Sequence, residues 1–149
     1  MTLRRCPALV LSAVLPFILL TSGQSAAAKT EIKGAAILDH PCGKASVKQM
    51  AYVHAGKMDE ANKLSTKEMQ AQWKAMPAKD QAMMSGMMKD MSQSEAQYSN
   101  DIKSNGVLTV DGQSATLTVK KTTKDANGSS TSTMTQSFKM DGGQCLVSR

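Results

Sequence analysis

Between Lys44 and Ala55 the side chains Val47, Met50, Ala51 and His54 fall at the i, i+3, i+4 and i+7 positions of one helical face. The spacing predicts a helix over about 44–55, stopped by Gly56. A short second helix fits Met58 to Leu64, and Ser65-Thr66-Lys67-Glu68 reads as a capping box that opens a third, with Met69, Trp73 and Met76 along one stripe. Pro77, tolerated in a first helical turn, begins a fourth that runs to about Met91. After Gln93 the period shortens to two: Tyr98, Asn100 and Ile102, then Leu108 and Val110, then Ala115, Leu117 and Val119, then Met134, Gln136, Phe138 and Met140, with a short last run from Cys145 to Val147. Asp111-Gly112, Asn127-Gly128 and Asp141-Gly142-Gly143 separate these runs, and such dipeptides accept the positive φ of tight hairpins. Helices first and strands afterwards predict an α+β fold, its N-terminal helices packed on a curved antiparallel meander of about four strands. The Ser/Thr-rich alternate positions face water.

The start of the chain has a different pattern. Arg4 and Arg5 precede an apolar run from Ala8 to Leu20, and Ser25-Ala26-Ala27-Ala28 follows before the first acidic residue. This is the order of a cleavable secretory signal, with cleavage expected after Ala28. The run is too short to span a bilayer and Pro16 interrupts it. The expectation is a signal over 1–28, an extended arm over 29–43 and one α+β domain over 44–149, with the product periplasmic or secreted and off the membrane after cleavage.

Beyond residue 28 the chain carries 16 basic and 12 acidic side chains with no Lys/Arg block, and aromatics make up 3% of the whole sequence. Neither a phosphate-binding stripe nor a base-stacking platform is present, which excludes nucleic acid as an expected partner. Two cysteines remain, Cys42 and Cys145. In an oxidising compartment they most simply form one disulfide, and the absence of a C-x-x-C spacing speaks against a redox pair or thiolate metal ligands. Closing a loop of roughly a hundred residues removes about 4–5 kcal/mol of denatured-state freedom in the chain-entropy model.

The segment from Ala55 to Ser65, AGKMDEANKLS, is similar to the G-D-x-x-x-A-x-x-L-x-S helix hairpin of bacterial NTF2-like proteins. Ser114 to Val119, a polar hairpin, and then Phe138 to Gln144 resemble the A-T-V-x-V and F-x-L-x-D-G-x-W-K-I close of the DUF4878, lumazine-binding-like branch. The likeness spans roughly Ala45 to Val147. Where that pattern has a tryptophan before its closing strand, this chain has Cys145. The resemblance implies a cone of helices and curved sheet around a central cavity, which relatives use for small-molecule binding, dimer formation, partner binding or catalysis.

No nucleophile elbow, phosphate-cradling glycine loop or H-E-x-x-H occurs, so no catalytic residue is assigned and a non-enzymatic module is expected. His54, on the inferred apolar face, is the least favoured route to an enzyme. What stands out is methionine: eleven of the twelve follow residue 28, and Met83, Met84, Met87, Met88 and Met91 crowd one helix. Methionine commonly fills cores or makes adaptable contact surfaces, so one reading is that the cluster packs the interior or forms a surface for a small apolar ligand, a protein partner or a second copy, with His54, Trp73, Met84 and Met88 in it and no cofactor. The other reading is a soft-metal site in which those five thioethers bind Cu(I) or Ag(I). Gly86, inside that helix, costs it close to 1 kcal/mol against alanine, which points to close packing or a kink there.

Overall fold

The computed structural model describes residues 29–125 and 128–148. The expected secretory segment 1–28 and Asn127 of the second turn dipeptide lie outside the described residues. The described chain is α+β, in the order β1 (Thr30–Lys33), α1 (Ala36–Asp39), α2 (Pro41–His54), α3 (Met58–Lys63), α4 (Lys67–Ala75), α5 (Ala78–Met91), α6 (Glu95–Asn105), β2 (Gly106–Asp111), β3 (Ser114–Asp125), β4 (Gly128–Asp141) and β5 (Gln144–Val147).

The sheet has five strands, not four, in the order β1-β2-β3-β4-β5, with every pairing antiparallel. The added strand comes from the expected arm. Thr30–Lys33 extends as predicted, but it pairs with Val107–Val110, so the sheet draws it in as an edge. Gly34, at φ 64°, then turns the chain into α1 and the early start of α2 at Pro41. His40 caps α2: its Nδ1 accepts a hydrogen bond from the Cys42 backbone N–H at 3.2 Å, and Pro41 needs no N–H partner in the first turn.

A second correction concerns Tyr98, Asn100 and Ile102, which lie in helix α6 rather than in a strand. Tyr98 and Ile102 are also four apart, the spacing of one helical face, and both are buried. The deciding local signal is Ser94, whose hydroxyl accepts from the Gln97 N–H and starts the helix. Similarly, Thr66 rather than Ser65 caps α4, accepting from the Met69 N–H. Ser65 instead bridges Val147 in parallel register, and the Thr66 backbone N–H donates to the Val147 carbonyl at 2.8 Å. This pairs the outer edge of β5 at its last residue, Val147.

The main core lies where α1, α2 and α6 meet the sheet. Ile37, Tyr98, Ile102, Leu108, Leu117, Phe138 and Val147 form it, and the alternation read along β2 to β5 correctly selects its strand members. Polar groups cross this core in a chain: Ser46 Oγ contacts the Tyr98 hydroxyl at 2.9 Å and donates to Gln136 Oε1, Gln136 Nε2 donates to Gln49 Oε1, and Gln49 Nε2 donates to Ser65 Oγ at 3.2 Å. Each member satisfies the next, which removes the penalty of burying them. A disulfide joins Cys42 at the start of α2 to Cys145 in β5 across 103 residues, with 4.8 Å between their Cα atoms. Past the pair Gly106↔Val119, β3 and β4 continue as a two-stranded ribbon whose β4 side, Ser129 to Thr133, is exposed.

Candidate functional site

Helix α5, like α4 before it, is an exposed element. It buries none of its 14 residues, whereas α2 and α6 each send side chains into the core. Its polar side chains hold it in place. Gln81 Nε2 donates to the carbonyls of Trp73 and Met76 at 2.9 and 2.8 Å, closing the end of α4 onto the start of α5. Ser85 Oγ donates back to the Gln81 carbonyl, and Ser92 Oγ donates to the Lys89 carbonyl at 2.5 Å, closing the last turn. The helix rests on α2 and, beside Gln81, Ala82 and Ser85, borders a small cleft with Met58 and Trp73.

The methionines occupy the remaining sides of α5. Met83, Met84, Met87, Met88 and Met91 are 64, 39, 57, 41 and 79% exposed. The expectation that they fill the interior is therefore not met: a core side chain is nearly inaccessible, and none of these is. The core is filled by β-branched, leucine and aromatic side chains from α1, α6 and the sheet. Met83/Met87, Met84/Met88 and Met87/Met91 are i, i+4 neighbours, so their thioethers stand one above another along the helix. Gly86 among them has open space where a Cβ would stand, so the expected close packing at this glycine is absent.

The other sequence-predicted residues lie in three places. Trp73, half-buried, packs against a small cluster of Val53, Met58 and Ala61 that seats α3 and α4 on α2. His54, the last residue of α2, is exposed rather than core-facing, and its Nδ1 lies 3.1 Å from Ser92 Oγ at the end of α5. The fold thus brings His54 to the methionine helix across 38 residues of sequence, a closeness that periodicity could not reveal. Cys42 and Cys145 are at the far end of α2 from His54.

Two further arrangements were not apparent in the sequence. His40, Cys42 and Cys145 place one potential donor atom each within 4.8 Å of one another. Both sulfurs are already consumed in the disulfide, which leaves a single nitrogen. Burial holds the His40 imidazole below the ordinary histidine range, in keeping with its role as a neutral hydrogen-bond acceptor at the cap. An open groove of about 560 Å³ lies between α1, α2 and α6, with Leu38, Val47 and Tyr52 on its walls and Lys44 and Lys48 at its rim. Lys48 Nζ stands 5.8 Å from the centre of the Tyr52 ring, so its charge is held against the groove wall.

No family model, no curated protein and no solved structure matches this chain. Among the described residues, no helix is long and apolar enough to cross a membrane.

Proposed function

We propose that this protein is an exported, non-enzymatic binding module whose working surface is the methionine face of α5, and that the ligand is a soft monovalent ion, Cu(I) or Ag(I). One observation carries the reading: five thioethers, each at least 39% exposed, stand on a helix that contributes nothing to the core. Selection for packing does not account for apolar side chains held in water, whereas soft-ion coordination needs polarisable sulfur that is reachable from solution. Thioethers carry no proton to displace, so the site works across a wide pH range, unlike one built from thiols or carboxylates. The disulfide supports an oxidising, extracytoplasmic setting. The order of helices followed by an antiparallel meander supports the NTF2-like arrangement as the scaffold.

Competition for Cu(I) against a calibrated chelator tests the proposal, with the five methionines changed together to leucine in the comparison variant. Leucine keeps the helix propensity and the apolar character of α5 while removing sulfur. Stoichiometric binding by the native protein and its loss in the variant is the expected result. Absence of binding by the native protein, or equal binding by both, would refute soft-ion coordination and leave the face as an apolar contact surface for a protein partner or a second copy.

A further inference from the structure

The methionine face offers only one kind of donor, yet the fold brings a nitrogen to its end. We infer that His54 is the nitrogen ligand of this site, binding through Nε2 beside the thioethers of the last turns of α5, Met84, Met88 and Met91. The inference rests on the soft-metal reading above and adds to it a residue from another helix, a chemical class of donor and a device that sets its tautomer.

The argument begins with Ser92. A hydroxyl has one proton to donate, and the Ser92 proton is committed to the Lys89 carbonyl at 2.5 Å. Toward His54, whose Nδ1 stands 3.1 Å away, Ser92 Oγ therefore acts as acceptor. Nδ1 then carries the ring hydrogen, which leaves Nε2 as the nitrogen available to an ion. Among the described residues nothing hydrogen-bonds that nitrogen, and the side chain is exposed. A histidine whose one nitrogen is held by an oriented oxygen offers the other to a metal ion, and that outer hydrogen bond fixes the orientation of the ring.

Position supplies the second half. Ser92 is one helical turn beyond Met88, and Met84 is one turn before it, so these three residues form a line along α5. Met84 and Met88 are the two least exposed of the five, and α5 packs on α2, the helix that ends in His54. Met91 immediately precedes Ser92. The imidazole anchored on Ser92 thus stands at the C-terminal end of the thioether line, one turn beyond Met88 and beside Met91, and methionine side chains are flexible enough to adapt to an ion there. A mixed imidazole and thioether set suits Cu(I), which accepts both donors, and holds the ion in a defined place on an otherwise uniform stripe.

X-ray absorption of the Cu(I)-loaded mature protein, paired with chelator competition, tests this. The native protein is expected to show a low-Z nitrogen scatterer together with sulfur. His54→Ala is expected to leave sulfur alone and to weaken Cu(I) binding by about tenfold or more. Ser92→Ala should weaken binding by about tenfold while Ser92→Thr, which keeps the hydroxyl, should restore it. His54 and Ser92 lie outside the core, so circular dichroism of each variant is expected to match the native protein. A sulfur-only shell in the native protein with undiminished affinity in His54→Ala would overturn the assignment while leaving the thioether site standing. A nitrogen shell that persists in His54→Ala would overturn it as well, and no Cu(I) binding by the native protein would sink both.

Discussion

Gly43 shows how a single missing carbon sets the geometry of the N-terminal region. A Cβ built there would stand 1.8 Å from the Ile37 carbonyl oxygen, so α1 and α2 meet only because position 43 has no side chain. Gly43→Ala is expected to cost about 2 kcal/mol or more, since the obstruction is backbone and cannot rotate away, and urea unfolding would register it. Three residues earlier, His40 acts through its unprotonated nitrogen. Its pKa is lowered in the folded state, so the unfolded chain takes up the proton first as pH falls and the folded state is penalised. Thermal stability should therefore decline from about pH 7 to about pH 5, and His40→Asn, which keeps a capping oxygen without a titratable ring, should flatten that part of the profile. None of this was visible in the sequence, where His40-Pro41-Cys42-Gly43 reads as a turn into a helix. Which carbonyl a missing Cβ would strike is a matter of tertiary contact.

Whole elements were legible where periodicity and local capping agree, and were misread where they compete. The helices from Met58 through Met91 and the runs from Leu108 onward are found close to where their spacing puts them. Residues 98–102 satisfy a two-residue and a four-residue repeat at once, and only the Ser94 cap decides between them. The first strand was missed as a sheet member because a four-residue edge has too few positions to show alternation, and pairing with β2 is what makes it a strand. Helix α5 raises a different question: its length is readable from sequence, but which of its sides is covered depends on α2. Since Gly86 lies on α5 with nothing near its missing Cβ, Gly86→Ala should stabilise the protein by about 0.5–1 kcal/mol, measured as a rise in denaturation midpoint. If the same substitution destabilised the protein, the helix would be packed or bent at that point.

At the scale of the whole molecule, two halves are tied by covalent and polar links. The disulfide fastens α2 to β5, and the chain of Ser46, Gln136, Gln49 and Ser65 fastens the same helix to β4 and to the start of α4. Replacing both cysteines by serine should lower stability by about 4 kcal/mol, the scale of releasing so large a loop, read by chemical denaturation of the oxidised and mutant forms side by side. That link was legible from the cysteine count, and the polar chain was not, because glutamines at positions 49 and 136 become neighbours only when the sheet folds under α2. The core they share leaves α5 outside it, with its thioethers open to an ion in solution. Methyl resonances of isotope-labelled methionine, followed during titration with Ag(I), test this most directly. Met83, Met84, Met87, Met88 and Met91 should shift together and saturate at a fixed ratio of ion to protein, while Met50, Met58 and Met140, packed in or against the two cores, stay in place. Unmoved signals from α5, or shifts spread evenly over all the methionines, would contradict soft-ion binding on α5.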